Sequence, residues 1–269
     1  MTSESDEPIK TKKDKSQGKT LEKEKGRSEL RETLSTVVWA LGLAFILRTF
    51  LFQPFHIPSG SMEPGLIKGD YIITTKYSLG YGKYAATPIP FPVKTGRLFE
   101  RKPSRGDVIV FRPQGIDKNY IKRLVGFPGD EIQMIDGRLH INRSIVPTQN
   151  LGSAQRRHEN GTEETADILE ERFVDGSTHQ IFDIDKLGKA DNTETFIVPA
   201  GHYFFMGDNR DRSADSRVPV SFNGAGYVPT ENLMGKARIV LLSVNENFSI
   251  LKPWTWFNMR KNRFFKAIK

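Results

Sequence analysis

The chain has 269 residues, 40 Lys+Arg against 32 Asp+Glu, and a formal net charge of +8. An apolar fraction of 37% beside 27% charged residues excludes fibrous and wholly disordered classes and reads as globular material with charged appendages. The absence of cysteine excludes a disulfide framework, a thiolate metal site and a cysteine nucleophile.

Residues 1–32 carry nine Lys/Arg and eight Asp/Glu, and this polar, lysine-rich composition predicts a disordered tail. From Leu34 to Phe52 the chain reads LSTVVWALGLAFILRTFLF, with Arg48 its only charge. At ~1.5 Å per residue this run spans about 28 Å, close to the ~30 Å hydrocarbon core, so a transmembrane helix is expected over residues 33–52. Arg48 lies near one end, where its stem can snorkel to the interface. The alternatives are a buried core helix and a cleaved signal, but a secretory signal starts with a short basic stretch rather than a long hydrophilic one. Lys19, Lys23, Lys25, Arg27 and Arg31 crowd the N-terminal flank, whereas the first basic residues after Arg48 are Lys68 and Lys76. No second apolar run of membrane length is present, so a single pass is expected, and the positive-inside rule puts residues 1–32 in the cytoplasm and the remainder outside.

Beyond the anchor, residues 53–252 are expected to form one mostly β domain. Strand signals occur at YIITTKY (71–77), DVIVF (107–111), YIKRLVG (120–126), EIQMI (131–135), RLHIN (138–142), FIVP (196–199), HYFFMG (202–207) and GKARIVLLSV (235–244). They are short, rich in β-branched and aromatic residues, and bounded by Gly, Pro, Asn or Asp. Asp136-Gly137 is a two-residue hairpin signal. Residues 145–195 are more polar and read as an inserted excursion, with one short helix expected in TADILEERF (165–173). Residues 253–269 form a basic-aromatic tail, in which Trp254, Trp256, Phe257, Phe264 and Phe265 interleave with Arg260, Lys261, Arg263, Lys266 and Lys269. Such a mixture suits lipid headgroups; a solvated terminus is the plain alternative.

Three segments could carry chemistry. In FHIPSGSMEPGL (55–66), Ser59 and Ser61 bracket Gly60 between Pro58 and Pro64, which alone reads as a turn. A nucleophilic serine needs a base. His56, His140, His158, His179 and His202 sit in no HExxH motif, no GxSxG elbow exists, and each reads as a surface or strand histidine. A lysine kept neutral by burial can serve instead. Lys122 alternates onto the same strand face as Tyr120 and Leu124, opposite Ile121 and Arg123; a snorkelling or edge lysine is the ordinary alternative. The third segment, GDNRDRSADSR (207–217), packs three Asp, three Arg, two Ser and one Asn into eleven positions. It lacks the spacing of a calcium loop, and its alternating charges suggest internal pairing.

Together PSGSMEP (58–64), RGDVIVF (105–111), YIKRLVGFPGD (120–130) and GDNRDRSADSR, in this order behind an anchor, resemble bacterial type I signal peptidase over roughly residues 34–244. The resemblance implies a coiled antiparallel β-sheet domain with an inserted subdomain, on the outer (periplasmic) face of a bacterial inner membrane. It implies a serine endopeptidase removing signal peptides from exported preproteins after small-x-small sites. Ser61 matches the nucleophile and Lys122 the general base. Ser59 matches the hydroxyl that joins the Ser61 N–H in the oxyanion hole, Ser213 the serine that orients the amine, and Asp208, Asp215 and Arg217 the supporting network. Phe55, Ile57, Met62, Leu66, Tyr120 and Ile121 match the substrate pockets. The family implies no cofactor or metal, a phospholipid membrane and export machinery as partners, and no nucleic acid. Gly65 stands where Thr is common, Arg212 where Asn is common, and VPVSFNGAG (218–226) is longer than the usual link.

Two rivals remain. The penicillin-binding class finds SxxK at residues 249–252 and KTG at 94–96, but in reversed order and without SDN. A membrane-tethered binding domain would leave Ser61 and Lys122 purely structural. A nucleic-acid binder using the basic tail requires the opposite topology.

Overall fold

The computed structural model describes residues 12–85, 93, 96–157, 162–245, 248 and 252–268. Residues 1–11, His158 and the serine and lysine of the SxxK and KTG matches at 249 and 94 lie outside these. Two compact units divide the chain after Leu47.

The first unit is helical. Helix α1 spans Lys12–Ile46, and a π-helical turn follows at Leu47–Leu51. The expected disorder up to residue 32 is therefore corrected from Lys12 onward. Lys and Glu supply ten of residues 12–32, and these are strong helix formers that extend the apolar helix backward. Within it, Glu29–Leu51 is long and apolar enough to cross a membrane by length and composition. Val38, Trp39 and Leu41 face outward, unburied by protein.

The second unit is built of antiparallel strands: β1 (Phe52–His56), β2 (Asp70–Thr75), β3 (Val108–Phe111), β4 (Tyr120–Gly126), β5 (Glu131–Ile135), β6 (Arg138–Ile141), β7 (Ser144–Ile145), β8 (Thr148–Arg157), β9 (Glu163–Arg172), β10 (Thr178–Asp183), β11 (Phe196–Ile197), β12 (His202–Met206), β13 (Val228–Pro229), β14 (Leu233–Ser243) and β15 (Lys266–Ala267). The main sheet runs β1-β2-β14-β3-β4-β12-β13, with β15 added to β14. Register shifts along β14, and another between Phe204 and Phe205, mark bulges that bend the strands and coil the sheet. A second sheet orders β11-β5-β6-β7. Its β5–β6 hairpin turns on Asp136 (φ 49°) and Gly137 (φ 72°), the left-handed pair that an Asp-Gly type I′ turn demands.

The third sheet, β10-β9-β8, occupies the segment read as an excursion. The helix expected in TADILEERF is corrected to β9. That strand is paired along both edges, and the two ladders outweigh the local helix preference of Leu and Glu. The C-terminal boundary at 252 also shifts. Arg263 is buried and its Nε and Nη2 donate to Asp70 at 2.9 and 2.5 Å, β15 pairs with β14, and Ile268 packs on the core. Residues 260–268 are thus part of the sheet domain, because the fully buried Asp70 carboxylate takes its countercharge from Arg263.

The core lies on both faces of the main sheet. Along the run VIVF, Val108 and Val110 pack with Ile57, Met62, Leu66 and Ile72, while Ile109 and Phe111 pack with Leu124, Tyr203 and Phe205. All four are buried, so the period-2 alternation of β3 feeds two apolar clusters at once.

Candidate active site

Strands β1 and β2 are joined by the turn holding Ser61. Its neck is closed by Ile57 N–H donating to Asp70 O (2.8 Å) and Gly69 N–H donating to Ile57 O (2.9 Å). Met62 and Leu66, 0% and 1% exposed, plunge into the core, and the turn is anchored by these side chains. Ser61 itself stays partly exposed. Across from it, Lys122 on β4 sits opposite Ile109 of β3 and is buried. Lys122 Nζ lies 2.5 Å from Ser61 Oγ.

Burial pushes the Lys122 amine down to about 8, against the upward pull of the Asp215 and Asp208 carboxylates, with the Arg217 charge adding to the depression. Those carboxylates have other partners. Arg123 Nε and Nη2 donate to Asp208 at 2.7 and 2.6 Å, and Arg217 Nε and Nη2 donate to Asp215, each at 2.9 Å. Gly207 N–H donates to Asp215 as well, and Arg217 beside it holds that carboxyl below its usual range despite burial. Among the described residues no carboxylate reaches ion-pairing distance of Lys122. A hydroxyl held against a lysine that readily loses its proton is the arrangement general-base activation requires.

Residues 30–242 match the family described as Signal peptidase, peptidase S26. The chain belongs to that family. Signal peptidase I of Rickettsia typhi (strain ATCC VR-144 / Wilmington) is 36% identical over 263 residues, 91% of this chain and 96% of its own. Signal peptidase I of Rickettsia akari (strain Hartford) is 37% identical over 245 residues, 84% of this chain and 88% of its own. The match to a solved signal peptidase I from Enterococcus faecalis V583 covers 51% of this chain and 97% of that chain, at 24% identity and a TM-score of 0.29. A member of the peptidase S26 family is a hydrolase, a serine endopeptidase that removes signal peptides.

The other residues matched to the family's motifs are placed as follows. Ser59 Oγ reaches Ser61 Oγ at 3.5 Å, the outer limit of a hydrogen bond. Ser213 is not on the Lys122 amine; its buried Oγ has no hydrogen-bond partner among the described residues. It packs on Gly207, where a Cβ would collide with both Ser213 and the Ser61 carbonyl. Ile57, Met62 and Leu66 are core residues, with Phe55 and Ile121 packed beside them, whereas Tyr120 belongs to the cluster on the other sheet face.

The charges of 207–217 pair outward more than inward, which corrects the expectation of internal pairing. Only Asp215–Arg217 is internal. Arg210 forks onto Glu171 of β9 at 2.6 and 2.5 Å, Arg212 reaches Glu164, and Asp211 accepts from the Ile184 and Asp185 N–H groups. Arginine forks need planar acceptors, and β9 supplies them. Sequence reasoning missed Glu171, Arg123 and Asn209. The Asn209 N–H and Nδ2 donate to the carbonyls of Ser61 and Gly60, each at 3.2 Å. Arg123, adjacent to Lys122 but on the opposite face, was the one detectable signal; nothing local marks Glu171. No hydrogen bond joins a histidine to Ser61 among the described residues. His179 is buried, stacks on Phe173 and lies 3.2 Å from Glu171.

Proposed function

We propose that this serine endopeptidase works through a Ser61–Lys122 dyad. The observation that carries the reading is the 2.5 Å approach of Ser61 Oγ to a buried lysine whose amine is lowered to about 8 and faces no carboxylate partner among the described residues. Neutral Lys122 takes the Ser61 proton as Oγ attacks the scissile carbonyl. The Ser61 N–H and the Ser59 hydroxyl stabilise the oxyanion. The Lys122 ammonium returns its proton to the departing amine, leaving an acyl-enzyme, and neutral Lys122 then activates water against that ester. Arg123 and Arg217 keep Asp208 and Asp215 from capturing the Lys122 amine.

The cut follows small-x-small sites. Ile57, Met62 and Leu66 are buried in the core, which leaves the partly buried Phe55 and Ile121 beside them to meet the substrate, and this supports a small residue before the bond. The protein is membrane-anchored, and we place residues 1–32 in the cytoplasm, residues 33–52 across the bilayer in a single pass, and the sheet domain on the outer face. The basic flank and the apolar helix support this placement.

The test is cleavage of a precursor carrying a signal peptide by the detergent-solubilised protein. Cutting after Ala-x-Ala, its loss in Ser61→Ala, and a block when Leu or Phe precedes the cut are expected. Retained cutting in Ser61→Ala would overturn the reading.

A further inference from the structure

Four side chains of alternating charge link three separate segments. Glu63 lies two residues past Ser61, Arg156 near the end of β8, Glu164 at the start of β9, and Arg212 in the 207–217 loop. Arg156 Nη2 meets Glu63 Oε2 at 2.6 Å, Arg156 Nη1 approaches Glu164 Oε1 at 3.3 Å, and Arg212 Nη2 meets Glu164 Oε2 at 3.1 Å. The β8–β9 register sets Arg156 directly opposite Glu164, and the Arg156 guanidinium lies 5.6 Å from the Phe182 ring centroid. Arg156, Glu63 and Glu164 are mostly buried, at 12%, 17% and 16% side-chain exposure.

The Arg156–Glu63 pair packs against the backbone of the serine turn. A Cβ on Gly60 would stand 2.9 Å from Glu63 Oε1 and 3.2 Å from Arg156 Nη2. On the same peptide unit, the Gly60 carbonyl accepts from Asn209 Nδ2. That peptide carries the Ser61 N–H, the backbone donor assigned above to the oxyanion. Stability alone is a poor reason for this arginine: desolvating an ion pair costs about what its attraction returns, and Arg156 Nε and Nη1 are buried without hydrogen-bond partners among the described residues. Its position is what distinguishes it.

We propose that Arg156 and Glu63 are positioning residues, through which the β8–β9 ribbon sets the orientation of the Gly60–Ser61 peptide and so of the oxyanion donor. The inference rests on the Ser61 reading above. Neither side chain touches the reacting atoms; a misplacement of about 1 Å in that peptide is enough to cost on the order of 100-fold in rate.

The experiment measures kcat, KM, the pH limb and Tm for the full-length, detergent-solubilised protein acting on a signal-peptide precursor. Arg156→Met and Glu63→Gln should each lower kcat by about 10- to 100-fold, with KM within about threefold and the pH limb unmoved, because the Lys122 surroundings are untouched. Arg156→Lys, which keeps the charge, should recover part of kcat, and the double variant should be no worse than the poorer single, as expected for one coupled pair. Unchanged kcat in Arg156→Met and Glu63→Gln overturns the proposal. So does a change confined to KM, which would mark a substrate contact, or a loss that follows Tm with no recovery in Arg156→Lys. Ser61→Ala separates the two readings: if it is inactive while Arg156→Met is fully active, only the positioning role fails.

Discussion

Two buried lysines in the sheet domain meet the same physics and come to different ends. Lys122 on β4 and Lys76 just past β2 are 5% and 1% exposed, and burial pushes both amines down to about 8. For Lys76 the Arg48 charge adds to the depression. The Lys76 amine, however, donates to the backbone carbonyls of Arg48 and Thr49, at 3.1 Å each, on the π-helical turn that leads into β1. It caps carbonyls that the helix end leaves unsatisfied. Lys122 instead faces a hydroxyl. Burial makes a neutral amine accessible near neutral pH; only the neighbouring group decides whether that amine is a base or a cap.

The sharpest break between the two is chemical. Lys122→Met should abolish precursor cleavage, a fall of at least about 10⁴-fold in kcat, and Lys122→Arg should not restore it because a guanidinium stays protonated. Lys76→Met should leave kcat within about threefold. Comparable losses in both, measured on folded protein, would erase the distinction.

A second contrast is in pH dependence. In the proposed dyad the neutral amine is the active form, so log kcat/KM should rise with pH and level off around a midpoint of about 8. Between pH 6 and 7 the rate should climb about tenfold, since the neutral fraction does so far below the midpoint. Lys76→Met should leave this limb in place, so a limb displaced by that variant would assign the titration to the wrong amine.

A smaller effect sharpens the account of Lys122. Asp215 pulls its pKa up and Arg217 pushes it down, so Asp215→Asn should move the limb below the parental midpoint in the folded fraction. The same variant leaves Arg217 without its carboxylate and should lower stability by about 3–5 kcal/mol, which thermal unfolding will report. An upward shift of the limb would reverse the assigned sign.

The smallest difference is in stability. A lysine held near 8 when folded and near 10.5 when unfolded disfavours the folded state by roughly 3 kcal/mol below pH 8. The unfolded chain binds more protons between those two values, so this cost disappears as pH rises from about 8 to 10.5. Lys122→Met should therefore raise Tm at pH 7 and do so less at pH 10. Lys76→Met removes two hydrogen bonds to carbonyls along with the buried charge, and its net effect should be nearer zero. Equal gains in both would show that the capping bonds contribute nothing.

Much of this contrast was invisible in the sequence. Lys76 sits in YIITTKY as plausibly as Lys122 sits in YIKRLVG, and alternation alone ranks neither as a base. The resemblance singled out Lys122, and the fold buries it: β4 is pinned to β3, whose four residues are all buried. Five of the eight strand signals fall on the main sheet and three on the β11-β5-β6-β7 sheet, because β-branched and aromatic runs between turn residues carry their own period. The β8-β9-β10 sheet was read as polar and partly helical, since its strands are held by ladders and by buried pairs such as Arg210–Glu171 rather than by apolar alternation.

By itself the sequence determined the long apolar helix, the β class, the Asp136-Gly137 hairpin and the family motifs, all properties of contiguous residues with their own periodicity or spacing. The tertiary structure alone decided which carboxylate each arginine of 207–217 would take, that Asp70 would draw Arg263 and the C-terminal segment into the domain, and which buried lysine would meet a hydroxyl. Those outcomes depend on desolvation and on distances between residues far apart in the chain, and such quantities exist only once the sheets have packed.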